Sequence, residues 1–173
     1  MKKILFLIMG IILFQSCASQ SYMEKETLLK LIDQKEFTFM AERALPTDYD
    51  VINVLNSMPN ATSSRVLDLS YGYTIEVKGD ELNVTLPYFG RTFNPSMDQD
   101  KSSLRFTSKD YTLTKSAGKK GNTVVTLKPN DVRYISAIYL DISTTGHAYA
   151  SVNANDRAPI SFDGYIMKNE VKK

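Results

Sequence analysis

Two short apolar triplets flank Gly79-Asp80: Tyr73, Ile75 and Val77 before it, Leu82, Val84 and Leu86 after it. The residues between them are Thr74, Glu76, Asn83 and Thr85, so each run alternates with a period of two. A two-residue turn at Gly79-Asp80 pairs Val77 with Leu82, Ile75 with Val84 and Tyr73 with Leu86. All six apolar side chains then share one face, an arrangement that a slip of one residue would destroy. The pattern therefore predicts a β-hairpin with one buried side. Thr144-Thr145-Gly146 gives a second, with glycine in the left-handed position and Ile142 opposite Ala148, Leu140 opposite Ala150 and Ile138 opposite Val152.

A looser pairing joins Tyr111–Leu113 to Val125–Leu127 across Gly118-Lys119-Lys120-Gly121. Phe37, Phe39 and Ala41 alternate along a first strand that ends at Leu45-Pro46. Short strands are expected around Val66–Leu69, Leu104–Phe106 and Ile160–Met167. Many short strands separated by turns place the chain in the all-β class, as an antiparallel barrel or a β-sandwich. Thr47–Ser64 interrupts this rhythm. Val51, Ile52, Leu55 and Met58 have helical spacing there, behind possible caps at Thr47 or Asp48, as a lid over a barrel mouth or a packed surface insertion.

The N-terminal region reads differently. Lys2-Lys3, the apolar run Ile4–Phe14 and Gln15-Ser16-Cys17 form a secretory signal that ends at the single cysteine. The run is too short for a spanning helix, which needs roughly 20 apolar residues. Cleavage before Cys17 leaves a lipoprotein whose sulfur carries the lipid, so residues 1–16 are signal and 17–35 are tether and helix. The β domain is residues 36–173, with its insertion at 47–64. Ser21 and Glu24 have the spacing of a capping box, and Leu28, Leu31 and Ile32 continue a short amphipathic helix from about Tyr22 to Gln34. From Cys17 to Ser21 the chain spans about 14 Å at most, at roughly 3.5 Å per residue.

Charge excludes one class of partner. The chain has 21 Lys+Arg and 19 Asp+Glu. Loss of Lys2 and Lys3 leaves 19 of each, and a nucleic-acid partner has no positive field to meet. Chemistry is sparse as well. His147 is the sole histidine, which excludes a multi-histidine metal site. Asp141 lies on its expected face and is the candidate to hold its imidazole, although a solvent-facing histidine beside a turn accounts for the same pattern. Asp48-x-Asp50 and Asp98-x-Asp100 supply too few oxygens for calcium and read as loop residues. No cofactor is expected.

The densest aromatic cluster is Pro87-Tyr88-Phe89-Gly90-Arg91-Thr92-Phe93. Tyr88, Phe89 and Phe93 are candidates for the apolar wall of a ligand site, and Arg91 for orienting an anionic group. The competing expectation is that the two phenylalanines close a barrel end while Arg91 caps a carboxylate.

Phe37-Thr38-Phe39 with Arg43–Pro46, Tyr73–Ile75 with Val77–Asp80, the run Leu86–Arg91, and Ile160–Tyr165 resemble a family of small lipoproteins of Gram-negative anaerobes, the domain-of-unknown-function family 4251. The likeness runs from about Lys35 to Ile166, with the 47–64 insertion longer than the family pattern. The resemblance implies a lipocalin-like antiparallel β-barrel and brings no activity or catalytic residue. The expected function is a non-enzymatic, lipid-anchored envelope protein binding a small amphipathic ligand or a protein partner. The alternatives are an assembly accessory of an envelope complex and, last, a carboxylate-based hydrolase. Ala18-Ser19-Gln20-Ser21 lacks both an inner-membrane retention aspartate and an acidic surface-display run, which favours the periplasmic side of the outer membrane.

Overall fold

The computed structural model describes residues 21–57, 63–93 and 103–170. Cys17, Met58 and the Asp98-x-Asp100 pair lie outside them. Among these residues nine antiparallel strands form one sheet curled into a nearly closed barrel: β1 Glu36–Pro46, β2 Thr74–Lys78, β3 Glu81–Leu86, β4 Leu104–Ser108, β5 Tyr111–Ala117, β6 Thr123–Pro129, β7 Ile135–Ile142, β8 His147–Ala154 and β9 Ile160–Met167. Their spatial order is β4-β3-β2-β1-β9-β8-β7-β6-β5, so the first and last strands lie side by side.

Both hairpins have the expected register. Ile75 faces Val84 and Val77 faces Leu82. Ile142, Leu140 and Ile138 face Ala148, Ala150 and Val152. Gly79 (φ 56°) and Gly146 (φ 87°) occupy the turn conformations that an L side chain resists. Tyr73 is the exception: it lies one residue before β2, half-buried on the core, and its carbonyl accepts from Ala41 N–H. β5 and β6 pair across the Gly118–Gly121 loop, with Leu113 opposite Leu127.

The ladder stops between β4 and β5, and side chains span that gap. Lys109 N–H donates to Asp131 Oδ2 at 2.9 Å, the Phe106 and Tyr134 rings meet edge-on, and the Tyr111 hydroxyl donates to Gly79 O. Inside, Phe37, Phe39, Phe162, Leu82, Leu127 and Leu140 have no solvent exposure. Among the described residues the barrel axis is thus filled by side chains, as in small barrels generally.

The N-terminal helix α1 (Lys25–Asp33) places Leu28 and Ile32 in the same core. It starts later than its sequence suggests, and no side chain caps it. The reason is tertiary: Tyr22 and Met23 N–H both donate to Thr145 O, holding that stretch against the β7–β8 turn. Lys35, at φ 54°, then turns the chain into β1.

The insertion carries α2 (Tyr49–Ser57) and α3 (Ser63–Leu67). α2 agrees with the spacing of Val51, Ile52 and Leu55, but Thr47 does not cap it, because its hydroxyl donates to Pro159 O. The strand expected at Val66–Leu69 is instead the end of α3 followed by a single bridge between Asp68 and Arg43. Leu67 turns into the core, and two apolar neighbours such as Val66 and Leu67 suit a helix turn as well as a strand. Leu55 and Leu67 make the insertion part of the packed body.

Candidate functional site

The 87–93 segment leaves β3 and crosses to the β8–β9 loop. Phe93 N–H donates to Asp156 O at 2.8 Å, Ala158 N–H donates to Arg91 O at 2.9 Å, and Thr92 bridges to Arg157. The Tyr88 hydroxyl lies 2.9 Å from both Arg91 O and Ala158 O. Burial is the main cause raising its pKa, opposed by the charge of Arg157.

Arg157 organises this corner. It is only 4% exposed. Its Nε and Nη2 donate to Asp156 Oδ1 and Oδ2 at 3.0 and 2.9 Å, and Nη1 donates to Ser103 O at 3.3 Å. Its guanidinium stands 5.0 Å from the centre of the Tyr88 ring. The hydrogen bonds from Arg157 hold the Asp156 carboxyl below the usual carboxylate range, and Asp156 in turn raises the guanidinium. A buried arginine with a fork-to-fork carboxylate and an aromatic face is a fixed strut, with its charge already matched.

The expected aromatic and arginine cluster therefore divides. Tyr88 and Phe89 pack against the core, whereas Phe93 is 58% exposed. Arg91 is exposed, and its guanidinium makes no hydrogen bond or ion pair with the described residues. It lines an open groove of about 350 Å³ together with Asp48, Val51, Val54, Leu55 and Gly90. One wall comes from α2 and the other from Gly90 and Arg91. The insertion thus supplies the apolar wall of this groove, where Tyr88, Phe89 and Phe93 were the candidates from the sequence. The groove joins an aliphatic surface to a cation that is unpaired among the described residues, with Asp48 also on its lining, and suits a molecule with an apolar chain and an anionic head.

His147 is placed elsewhere, on the outer face of β8. Its Nε2 lies 2.7 Å from Asp163 Oδ1, an atom that is itself buried and makes no hydrogen bond of acceptable geometry. The candidate partner Asp141 faces Tyr149 across the strand pair and accepts from Asn122 instead. No nucleophilic serine or threonine hydroxyl among the described residues is hydrogen-bonded to the imidazole. Among those residues no three of His, Cys, Asp and Glu gather as metal ligands, and no helix is long and apolar enough to cross a membrane.

A family model described as a domain of unknown function, DUF4251, matches residues 19–166. The chain belongs to this family. The match covers all nine strands of the barrel but for the last residue of β9, and includes Tyr88, Arg91 and Arg157. It agrees with the resemblance carried by Phe37–Phe39, Leu86–Arg91 and Ile160–Tyr165. No curated protein matches this DUF4251 chain.

Proposed function

We propose that this DUF4251 protein is a non-catalytic binding module of the cell envelope, held by a lipid on Cys17 at the periplasmic side of the outer membrane. It takes an amphipathic molecule with an anionic head group. A lipocalin-like use of the barrel would put such a ligand on the axis, but Phe37, Phe39 and Phe162 occupy that volume. The groove beside α2 is the better site. The observation that carries this reading is the exposed Arg91, unpaired among the described residues, on the lining of the same groove as Val51, Val54 and Leu55.

Titration of the purified lipoprotein with a fluorescent long-chain fatty acid tests it. Saturable binding that weakens in Val54→Asp supports the groove; non-saturable uptake, or binding indifferent to that substitution, rules it out. Exposed Tyr49, Val54 and Phe93 favour a second reading, an envelope protein seated on the same end of the barrel. Cross-linking from Phe93 in cells to one defined protein would select it.

A further inference from the structure

The outer face of β8, β9, β1 and the approach to β2 carries a band of tyrosines unrelated to the groove. Tyr22 stacks on Tyr165 there, with His147 and Tyr149 on one side. On the other side, across Met40, lies Tyr71, whose hydroxyl donates to Glu170. Tyr149 is 51% exposed and Tyr71 68%. Tyrosine is the residue type that settles where apolar chains give way to headgroups, because its ring is apolar and its hydroxyl is not.

What covers this band is set by where the chain leaves the fold. The described structure starts at Ser21, and Tyr22 is already fixed to the band by its stack and by its bond to Thr145 O. Cys17 precedes Ser21 by four positions, so a lipid on it lies within about 14 Å of the exit point, at roughly 3.5 Å per residue. The face carries Glu42, Asp68 and Asp163 around the paired Arg43, a balance that disfavours an anionic surface and suits a zwitterionic one. We infer that this tyrosine band is a membrane-docking face, on which the barrel lies side-on against zwitterionic headgroups. The inference rests on the Cys17 anchor and is independent of the groove.

The chain has no tryptophan, so a single introduced one reports cleanly. The acylated full chain is reconstituted into phosphatidylcholine vesicles carrying a nitroxide near the headgroup. Side-on docking predicts quenched, blue-shifted emission for Tyr149→Trp and Tyr71→Trp. It predicts unquenched emission for Lys119→Trp, an exposed position in the β5–β6 loop close to the Gly146 turn. Quenching of Lys119→Trp alone would show end-on seating and overturn the inference, as would quenching of none or of all three. Mass spectrometry of the same sample reads the lipid on Cys17. An unmodified cysteine removes the anchor and the docking face together, whereas an acylated chain without the predicted pattern removes the docking face alone.

Discussion

Tyr22 lies flat on Tyr165, with ring centres 4.6 Å apart and planes 4° from parallel. A residue of the N-terminal arm, ahead of α1, is thereby fastened to the last strand of the barrel. Tyr165 in turn stands opposite His147 on β8 and Met40 on β1, so the contact sits where three strands meet. Burial and the nearby Glu42 and Asp163 carboxylates all raise the Tyr22 hydroxyl pKa.

The stack should be measurable as a coupling. Aromatic pairs contribute about 0.5–1.5 kcal/mol beyond the area they bury. Tyr22→Ala and Tyr165→Ala are each expected to lower stability, and the double variant should cost less than their sum by about that amount. Urea denaturation of the four proteins gives the number. Strict additivity would mean that the arm is held by its bonds to Thr145 O alone.

Gly164 predicts a larger effect from a smaller change. It faces inward opposite Ala41, beside the irregularity in the β1–β9 register. A Cβ at this position would collide with the Met40 carbonyl and come within 3.0 Å of the Phe39 ring. Backbone cannot swing aside as a flexible side chain can. Gly164→Ala should therefore cost about 1–3 kcal/mol through overpacking, despite the smaller entropy of its unfolded chain. A denaturation midpoint at or above that of the parent would refute the close approach.

The hairpins were legible because two signals coincide in them: alternation sets the face and a short turn sets the register. The same logic found β9 to the residue and the helical part of the insertion. It failed where tertiary contacts overrule a local motif. Ser21 and Glu24 have capping-box spacing, yet Thr145 O takes the N–H groups of Tyr22 and Met23 and the helix begins only at Lys25. For His147 its own hairpin offers Asp141 as the candidate partner or else an open solvent face, and neither shows Asp163, whose approach depends on β8–β9 pairing. Arg157 carried no sequence signal strong enough to mark it as buried. Its carboxylate is the adjacent Asp156, and the ring beneath it, Tyr88, arrives from a distant strand end.

If Arg91 receives an anionic head group, reversing its charge should reverse the preference of the groove. Arg91 is exposed and its side chain has no partner among the described residues, so Arg91→Glu should leave stability within about 0.5 kcal/mol. Loss of one charged hydrogen-bonding partner, about 1.5–3 kcal/mol, corresponds to a fall of about tenfold or more in affinity for a fatty-acid probe. A probe of the same chain length with a quaternary ammonium head should gain affinity. Equal binding of both probes to both proteins would leave only nonspecific apolar contact.

The Asp156–Arg157 pair gives the molecule an acid-sensitive corner. In the folded chain the Asp156 carboxyl titrates below its ordinary range, because Arg157 donates to both its oxygens. A carboxyl depressed by folding adds stability that is complete above its unfolded pKa, near 3.9, and is lost as pH falls through the lower folded value. The denaturation midpoint should thus hold steady above about pH 5 and decline below about pH 4. Asp131, depressed by bonds from the Ser108 hydroxyl and Lys109 N–H, contributes in the same window. Asp156→Asn separates the two. It leaves the guanidinium of Arg157, 4% exposed, facing an amide instead of a carboxylate. Breaking a buried pair from one side costs about 3–5 kcal/mol, and the partial exposure of Asp156 places this one at the lower end. The variant should be less stable at pH 7 and show a shallower acid limb, with the remaining slope belonging to Asp131. An acid limb as steep as the parent's would mean that Arg157 does not hold Asp156 ionised in the folded chain.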